Sequence, residues 1–155
     1  MGLHYFQPSR GSEPPEIVHY VSEGSATFKL GAPLTRATAP EEVEEHSGTT
    51  NVTDILGTAM GPATSGAVPY GATVMVAIAN RKTLWLGQIW DVSGSAVATA
   101  VAATHEGAEF GMVKISNDWY VDEEDTTDVV LRVVKVLPKI NAVLFRWIGS
   151  AIEGA

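Results

Sequence analysis

An acidic run at positions 122–125, DEED, together with Asp128, is the part of this sequence that comes nearest to chemistry. Paired carboxylates act as general acid and base in hydrolases, and clustered carboxylates bind Ca²⁺. The spacing does not fit an EF-hand loop, because no glycine stands at the sixth position and Val133 holds the twelfth. Like-charged runs are typical of solvated turns, so we predict a turn between two strands. A small hydrolase using Asp122 or Asp125 is the enzymatic alternative.

Other reactive side chains are spread along the chain without a recognisable motif. The sequence has no cysteine, and its histidines do not show metal-ligand spacing; they are His4, His19, His46 and His105. None of the serines that lie near glycines forms the G-x-S-x-G nucleophile elbow, and no phosphate-binding glycine loop is present. We therefore predict no catalytic residue, no metal site and no cofactor.

Charge and hydropathy also exclude several partners. The formal net charge is −8, and the ten Lys and Arg are scattered, with Arg81 and Lys82 as the one adjacent pair. Nucleic-acid binders usually carry a basic stripe that neutralises phosphates, so DNA or RNA binding is not expected. No apolar run approaches the roughly 18–20 residues that a transmembrane helix needs, and no secretory signal is visible.

The first fifteen residues, Met1–Pro15, differ in composition from the rest of the chain. They hold three prolines, which fix φ and remove backbone donors, so an extended arm is predicted rather than a helix. Such a terminus either frays or docks; Tyr5 and Phe6 are costly to leave in water and favour docking. Residues 16–155 are then predicted to form a single β domain.

Short apolar runs separated by turn residues predict a series of strands through this domain. Asn80-Arg81-Lys82 is interpreted as the turn of a hairpin, whereas the acidic stretch Thr38–Thr53 is interpreted as a loop. The alanine-rich segment Ser93–Thr104 fits either a short helix or a strand. The strands predicted before residue 91 are Ile17–Val21, Ala26–Leu30, Ile55–Met60, Val74–Ala79 and Leu84–Trp90.

The C-terminal third has the clearest strand pattern. Asp128–Leu137 is apolar on both faces, which is typical of a strand buried on both faces, and one covering layer is predicted to be another subunit. The last strand has Val143, Phe145 and Trp147 on its core side and Arg146 opposite. The predicted fold is all-β, a compact barrel or sandwich with the barrel favoured. The candidate subunit-interface residues are Val130, Val134, Val136 and Trp147.

The four tryptophans allow two interpretations. A sugar-binding platform would use exposed, coplanar rings, but tryptophans in strands more often fill a core or a subunit interface because each buries a large area. We therefore predict core or interface positions for Trp85, Trp90, Trp119 and Trp147.

The order of these segments resembles a known family. The strand-turn-strand ATFKLGAPLTRA is followed by DILGTAM, by GATVMVAIA, and by NDWYVDEEDTTDVVLRVVKVLP with NAVLFRWI. Across Ala26–Ile148 this order is similar to that of the small decoration, or cement, proteins of tailed bacteriophage capsids. Another virion surface component, such as a head-fibre, tail or carbohydrate-binding module, is the alternative.

The resemblance implies a β-barrel or β-tulip-like fold that forms a homotrimer or a dimer. It implies binding to the outside of an assembled shell, between major capsid subunits, and it supplies no catalytic residues. An extended arm can add a strand to an exposed sheet edge. The expected capsid-binding arm residues are His4, Tyr5, Phe6, Gln7 and Pro8, with Tyr5 and Phe6 as anchors.

Overall fold

The protein is mostly β-structure. The computed structural model describes residues 6–9, 11–22, 28, 30–39, 41–46, 54–61 and 73–153. Within them lie the helix α1 (Ala102–His105) and two 3₁₀ turns, Pro138–Ile140 and Gly149–Ala151. The strands are β1 (Gln7–Pro8), β2 (Ile17–Ser22), β3 (Pro33–Arg36), β4 (Glu42–Glu45), β5 (Gly57–Gly61), β6 (Thr73–Ile78), β7 (Trp85–Gly87), β8 (Ile89–Asp91), β9 (Ala96–Val97), β10 (Glu109–Ile115), β11 (Asp118–Asp122), β12 (Leu131–Leu137) and β13 (Ala142–Trp147).

Five strands close a small barrel in the order β2-β4-β3-β5-β6. Its inward side chains follow the strand period of two: in β6, Val74 and Val76 are buried, while Thr73 and Met75 are exposed. The all-β barrel prediction is therefore confirmed. The loop predicted for Thr38–Thr53 is wrong at β4, because Val43 fills the barrel interior and β2 and β3 supply the pairing on both sides. The predicted strand at Ala26–Leu30 lies largely outside the described residues.

The remaining strands form a sheet of eight, in the order β1-β7-β13-β12-β10-β11-β8-β9. Only Gln88 separates β7 from β8 in the chain, yet β7 pairs with β13 and β8 pairs with β11. The Gln88 carbonyl also accepts a hydrogen bond from the Val121 N–H at 2.8 Å. Strands β7 and β8 are thus neighbours in the chain but lie near opposite ends of the strand order. The sheet must therefore curl around its apolar face to bring them together.

The hairpin predicted around Asn80 is wrong, although the turn itself is present. The Asn80 Oδ1 accepts hydrogen bonds from the N–H groups of Lys82 and Thr83, at 2.7 and 2.8 Å. However, β6 pairs with β2 and β5 in the barrel, whereas β7 pairs with β1 and β13 in the sheet. The turn therefore carries the chain from the barrel to the sheet instead of closing a hairpin.

A β-bulge between Val133 and Lys135 determines which side chains of β12 are buried. Val133 and Val136 both face inward, whereas Val134 is 41% exposed. Within the single chain β12 is buried on one face only, since the bulge shifts the alternation. A cover from another subunit on the outer face stays a prediction. The last strand follows its prediction: Val143, Phe145 and Trp147 are buried and Arg146 is exposed.

The barrel and the sheet share one continuous core. Ile55 forms a parallel bridge with Ile152, and the Glu45 carboxylate accepts hydrogen bonds from the Lys114 ammonium (2.6 Å) and the Trp119 indole (2.9 Å). These contacts fix the barrel against the sheet. Trp85, Trp119 and Trp147 are all at most 2% exposed, as expected for core tryptophans.

Replacing Phe6 with alanine is expected to destabilise the whole fold. The ring is fully buried against Phe145 and Trp147, with centroids 5.1 and 5.8 Å away. Loss of a buried phenylalanine typically costs about 3–5 kcal/mol of unfolding free energy. Urea unfolding followed by tryptophan fluorescence measures this cost, with Gln7→Ala as the control on the same strand, expected within about 0.5 kcal/mol. A Phe6→Ala cost as small as that of the control would mean that β1 is not docked in solution.

Candidate functional site

Gln7 and Pro8 of the arm form part of the protein's own sheet. His4 and Tyr5 lie outside the described residues. Phe6 is fully buried, and Gln7 and Pro8 pair with Leu86 and Trp85. The predicted docking of the arm is therefore present, but on its own domain, and Phe6 is a core residue rather than an exposed anchor.

Gly87 makes this docking possible. A Cβ atom at Gly87 would lie 2.8 Å from the Phe6 ring, which is closer than packed carbon atoms approach. The Ser9 N–H also donates to the Leu84 carbonyl at 2.7 Å, so the strand is held from both ends. The tight fit of ring and backbone explains why a glycine follows two large side chains in β7.

The candidate subunit-interface residues are divided between the core and the surface. Val130, Val136 and Trp147 are at most 5% exposed within the single chain. Their apolar area is already removed from water, which leaves Val134 as the one member of that set able to touch another molecule. Strand alternation in Asp128–Leu137 placed Val134 and Val136 on the same apolar face. The bulge in β12 separates the two, because it turns Val136 inward and leaves Val134 outside.

The acidic run forms the predicted turn between β11 and β12. The Asp122 carboxylate accepts hydrogen bonds from the N–H groups of Glu124 and Asp125, at 3.0 and 3.3 Å. The Asp125 carboxylate accepts from Thr127 and Asp128, at 3.1 and 2.9 Å. Partial burial raises the pKa of Asp122, while the two N–H donors act in the opposite direction. The carboxylates that an enzyme would need are therefore engaged in holding the turn.

Two buried histidines hold separate parts of the fold. His105 lies at the end of α1, where its Nδ1 accepts from the Val101 N–H and its Nε2 lies 2.8 Å from the Glu123 carboxylate. This arrangement assigns the proton to Nε2 and ties α1 to the acidic turn. His46 is 6% exposed, and its Nε2 lies 3.6 Å from Asp54 Oδ1. Burial lowers the pKa of His46, and the Asp54 carboxylate only partly offsets that effect.

No metal centre is assembled in the part of the chain that the structure describes, where no three His, Asp or Glu side chains converge. The helices of that part are all too short or too polar to cross a membrane.

An apolar edge ends the large sheet. Strand β9 is the terminal strand, and its one pairing among the described strands is with β8. Around it Val92, Val97 and Val101 are 42%, 37% and 45% exposed. The sequence left Ser93–Thr104 open between a short helix and a strand, and the structure has both there, β9 and α1. Exposed apolar edge strands are templates for pairing with another chain.

A pocket lined by arginines lies on the outer face of β12 and β13. Its volume is about 450 Å³, and its principal lining residues are Arg81, Glu109, Arg132, Val134, Arg146 and Gly149. Sequence reasoning missed this pocket because its arginines are far apart in the chain. The available signal was Arg146, which the strand pattern had placed opposite the core.

No protein-family model matches this chain, and no curated protein sequence matches it. The functional argument therefore rests on the residues and their geometry.

The buried imidazole of His46 is expected to make stability depend on pH. Because its folded-state pKa lies below the ordinary value of 6.5, the folded protein disfavours the charged ring. The stability that the neutral His46 ring contributes is fully present above the pKa of the unfolded chain. It is lost as the pH falls from that value through the lower folded-state pKa. Between pH 7 and about pH 5, the unfolding free energy of the natural protein should therefore fall more steeply than that of His46→Gln.

Urea unfolding at a series of pH values measures the difference between the two proteins. Proton NMR of the His46 ring gives the direct comparison between the folded chain and the urea-unfolded chain. A folded ring that titrates at or above the unfolded value would contradict the assignment.

Proposed function

We propose that this protein is a structural virion component that binds the outside of an assembled phage capsid and stabilises it by bridging major capsid subunits. The observation that carries the proposal is the uncovered apolar edge at β9, where Val92, Val97 and Val101 are exposed around the last strand of the sheet. Exposed apolar side chains along a terminal strand are typical of a surface that another protein covers. The segment order that resembles capsid decoration proteins supports the shell subunit as that partner.

The edge offers two kinds of contact to a shell protein. The free backbone groups of a terminal strand can accept an added strand, and the flanking valines supply apolar area. A specific interface of ordinary size buries about 1,200–2,000 Å² in total, so contacts beyond this short strand must contribute. Val134 on the outer face of β12, and the half-buried Gln7 and Pro8 of the arm, are further contact positions under this proposal.

Stabilisation of the shell then follows from differential binding. A protein that bridges neighbouring subunits binds the closed lattice better than the disrupted one, and so shifts the equilibrium towards the closed lattice. A homotrimer, the expected assembly of this family, would engage several subunits at once and gain from effective concentration. The acidic surface, with a net charge of −8, resists nonspecific attachment to nucleic acid.

The alternatives have less support. A carbohydrate-binding module would need exposed tryptophan platforms, but Trp85, Trp119 and Trp147 are buried. Trp90 is half-buried and packs on Tyr120, with ring centroids 5.0 Å apart. A hydrolase would need free carboxylates in a pocket, whereas Asp122 and Asp125 bind backbone N–H groups.

Co-sedimentation with expanded, DNA-free shells tests the proposal, using the major capsid protein encoded by the same genome. The natural chain should co-sediment saturably and raise the temperature at which the shells dissociate. Val97→Lys places a charge on the exposed edge and should weaken binding by about tenfold or more, since each 1.4 kcal/mol is a factor of ten.

Ile17→Lys is the matched control, because Ile17 is a similarly exposed residue on the barrel strand β2. It adds the same charge and should change binding by less than about twofold. Failure of the natural chain to bind shells at all would disprove the shell role. Equal losses of shell affinity for Val97→Lys and Ile17→Lys would show that β9 does not contact the shell.

A further inference from the structure

Three arginines that are distant in the sequence line one pocket of this acidic protein. Three of the ten Lys and Arg line the pocket on the outer face of β12 and β13, namely Arg81, Arg132 and Arg146. One carboxylate, Glu109, shares the pocket with them. Three guanidinium groups and one carboxylate leave a local formal charge of +2 on a chain whose total is −8.

Two of these arginines are held against each other by the strand register. Arg132 and Arg146 are direct cross-strand partners, so two positive charges face each other on the same solvent-exposed side. Like charges in directly opposed positions destabilise a sheet. A stable strand pair that keeps this arrangement is consistent with a requirement for an anion at the site.

Glu109 supplies only part of the compensation. Its Oε1 accepts hydrogen bonds from the Arg132 Nε, at 3.0 Å, and from the same guanidinium's terminal nitrogen. Among the residues that the structure describes, no carboxylate lies within ion-pair distance of Arg81 or Arg146. Arg132 therefore binds the Glu109 carboxylate, and the guanidinium groups of Arg81 and Arg146 are left to bind a carboxylate from outside the described residues.

Gly149 positions the third arginine. A Cβ atom at Gly149 would lie 2.4 Å from the terminal nitrogen of Arg81, so the guanidinium lies directly over the glycine backbone. An alanine there would move the end of the flexible Arg81 side chain without disturbing buried backbone. The geometry of Arg81 thus depends on the absence of a side chain at one position.

We propose that this arginine pocket binds carboxylate side chains of an acidic polypeptide segment on a partner protein. Guanidinium groups are strong donors to carboxylates, and two nitrogens of Arg132 already donate to one oxygen of Glu109 here. Val134 and Ile148 form an apolar wall beside the arginines. A wall of this kind suits the aliphatic part of glutamate and its neighbours in a peptide.

A free phosphate or a nucleic acid fits the same observations less well. A single phosphate would fill a small part of a pocket of about 450 Å³ and would leave the apolar wall uncovered. A nucleic acid would meet the repulsion of the whole acidic surface. A peptide needs to bring only two or three carboxylates into the pocket.

Titration of the protein with a blocked hexaglutamate peptide tests the proposal. The Nε–H NMR signals of Arg81, Arg132 and Arg146 should shift saturably, with hexaglutamine producing no such shift. The double variant Arg132→Gln/Arg146→Gln should weaken peptide binding by about tenfold or more. The charge-neutral variant Gly149→Ala should also weaken it, by about threefold or more, because it displaces Arg81.

Lys135→Gln/Lys139→Gln is the matched control, since it removes the same charge from two exposed residues outside the pocket. It should change affinity by less than about twofold. Equal losses for both double variants would show a diffuse charge effect and overturn the site. Tighter binding of inorganic phosphate or of a thymidine hexanucleotide would overturn the choice of a peptide.

The absence of any shift in the three arginine signals at millimolar hexaglutamate would also overturn the choice of a peptide. Sedimentation equilibrium of the protein alone is one further measurement. If the protein self-associates and Arg132→Gln/Arg146→Gln abolishes that association, the acidic segment belongs to a second copy of this chain. That result would overturn the assignment to a partner protein. The pocket does not rest on the shell-binding proposal, because its probe is a peptide and its readout is the arginines themselves.

Discussion

Contact among four aromatic rings organises the large sheet. Phe6 lies on Phe145 and Trp147, and Trp147 in turn lies 6.1 Å from Trp85, all in edge-to-face arrangements. Aromatic pairs of this kind contribute about 0.5–1.5 kcal/mol beyond the area they bury. Phe6 directly precedes β1, and the other rings come from β7 and β13, so a single cluster holds these three neighbouring strands together. The curl of the sheet follows from wrapping the neighbouring strands around it.

Local pattern was enough to predict which residues face the core, but not which strands pair. Val143, Phe145 and Trp147 were predicted on the inner face because side chains alternate with a period of two. The hairpin around Asn80 was wrong because the same alternation suits a strand in either layer, and distant partners decided the pairing. The strand at β4 was missed for a related reason: a single valine among glutamates has little strand preference until β2 and β3 flank it.

The surface was harder to predict than the core. A one-residue bulge in β12 moved Val136 inward and left Val134 outside, and no feature of the sequence marks the bulge. The arm's attachment to its own sheet depends on the space left by Gly87, which becomes meaningful only when Phe6 lies above it. The arginine pocket depends on register, since residues distant in the chain become neighbours only when β12 and β13 align. Long-range pairing is the common element that a single sequence does not specify.

The two ends of the described chain fasten opposite layers, and this has a kinetic consequence. All five barrel strands come from residues 17–78, and Ile55, which precedes β5, forms an isolated bridge with Ile152. In the large sheet β1 pairs with β7, and β7 pairs with β13. A nascent chain can therefore make every barrel strand early, but it cannot complete the large sheet until β13 has left the ribosome. Topologies dominated by such distant contacts fold slowly, over about milliseconds to seconds, because loop closure must precede the stabilising contacts. Until β13 is made, Phe6 and Trp85 lack the Phe145 and Trp147 rings on which they pack in the folded protein.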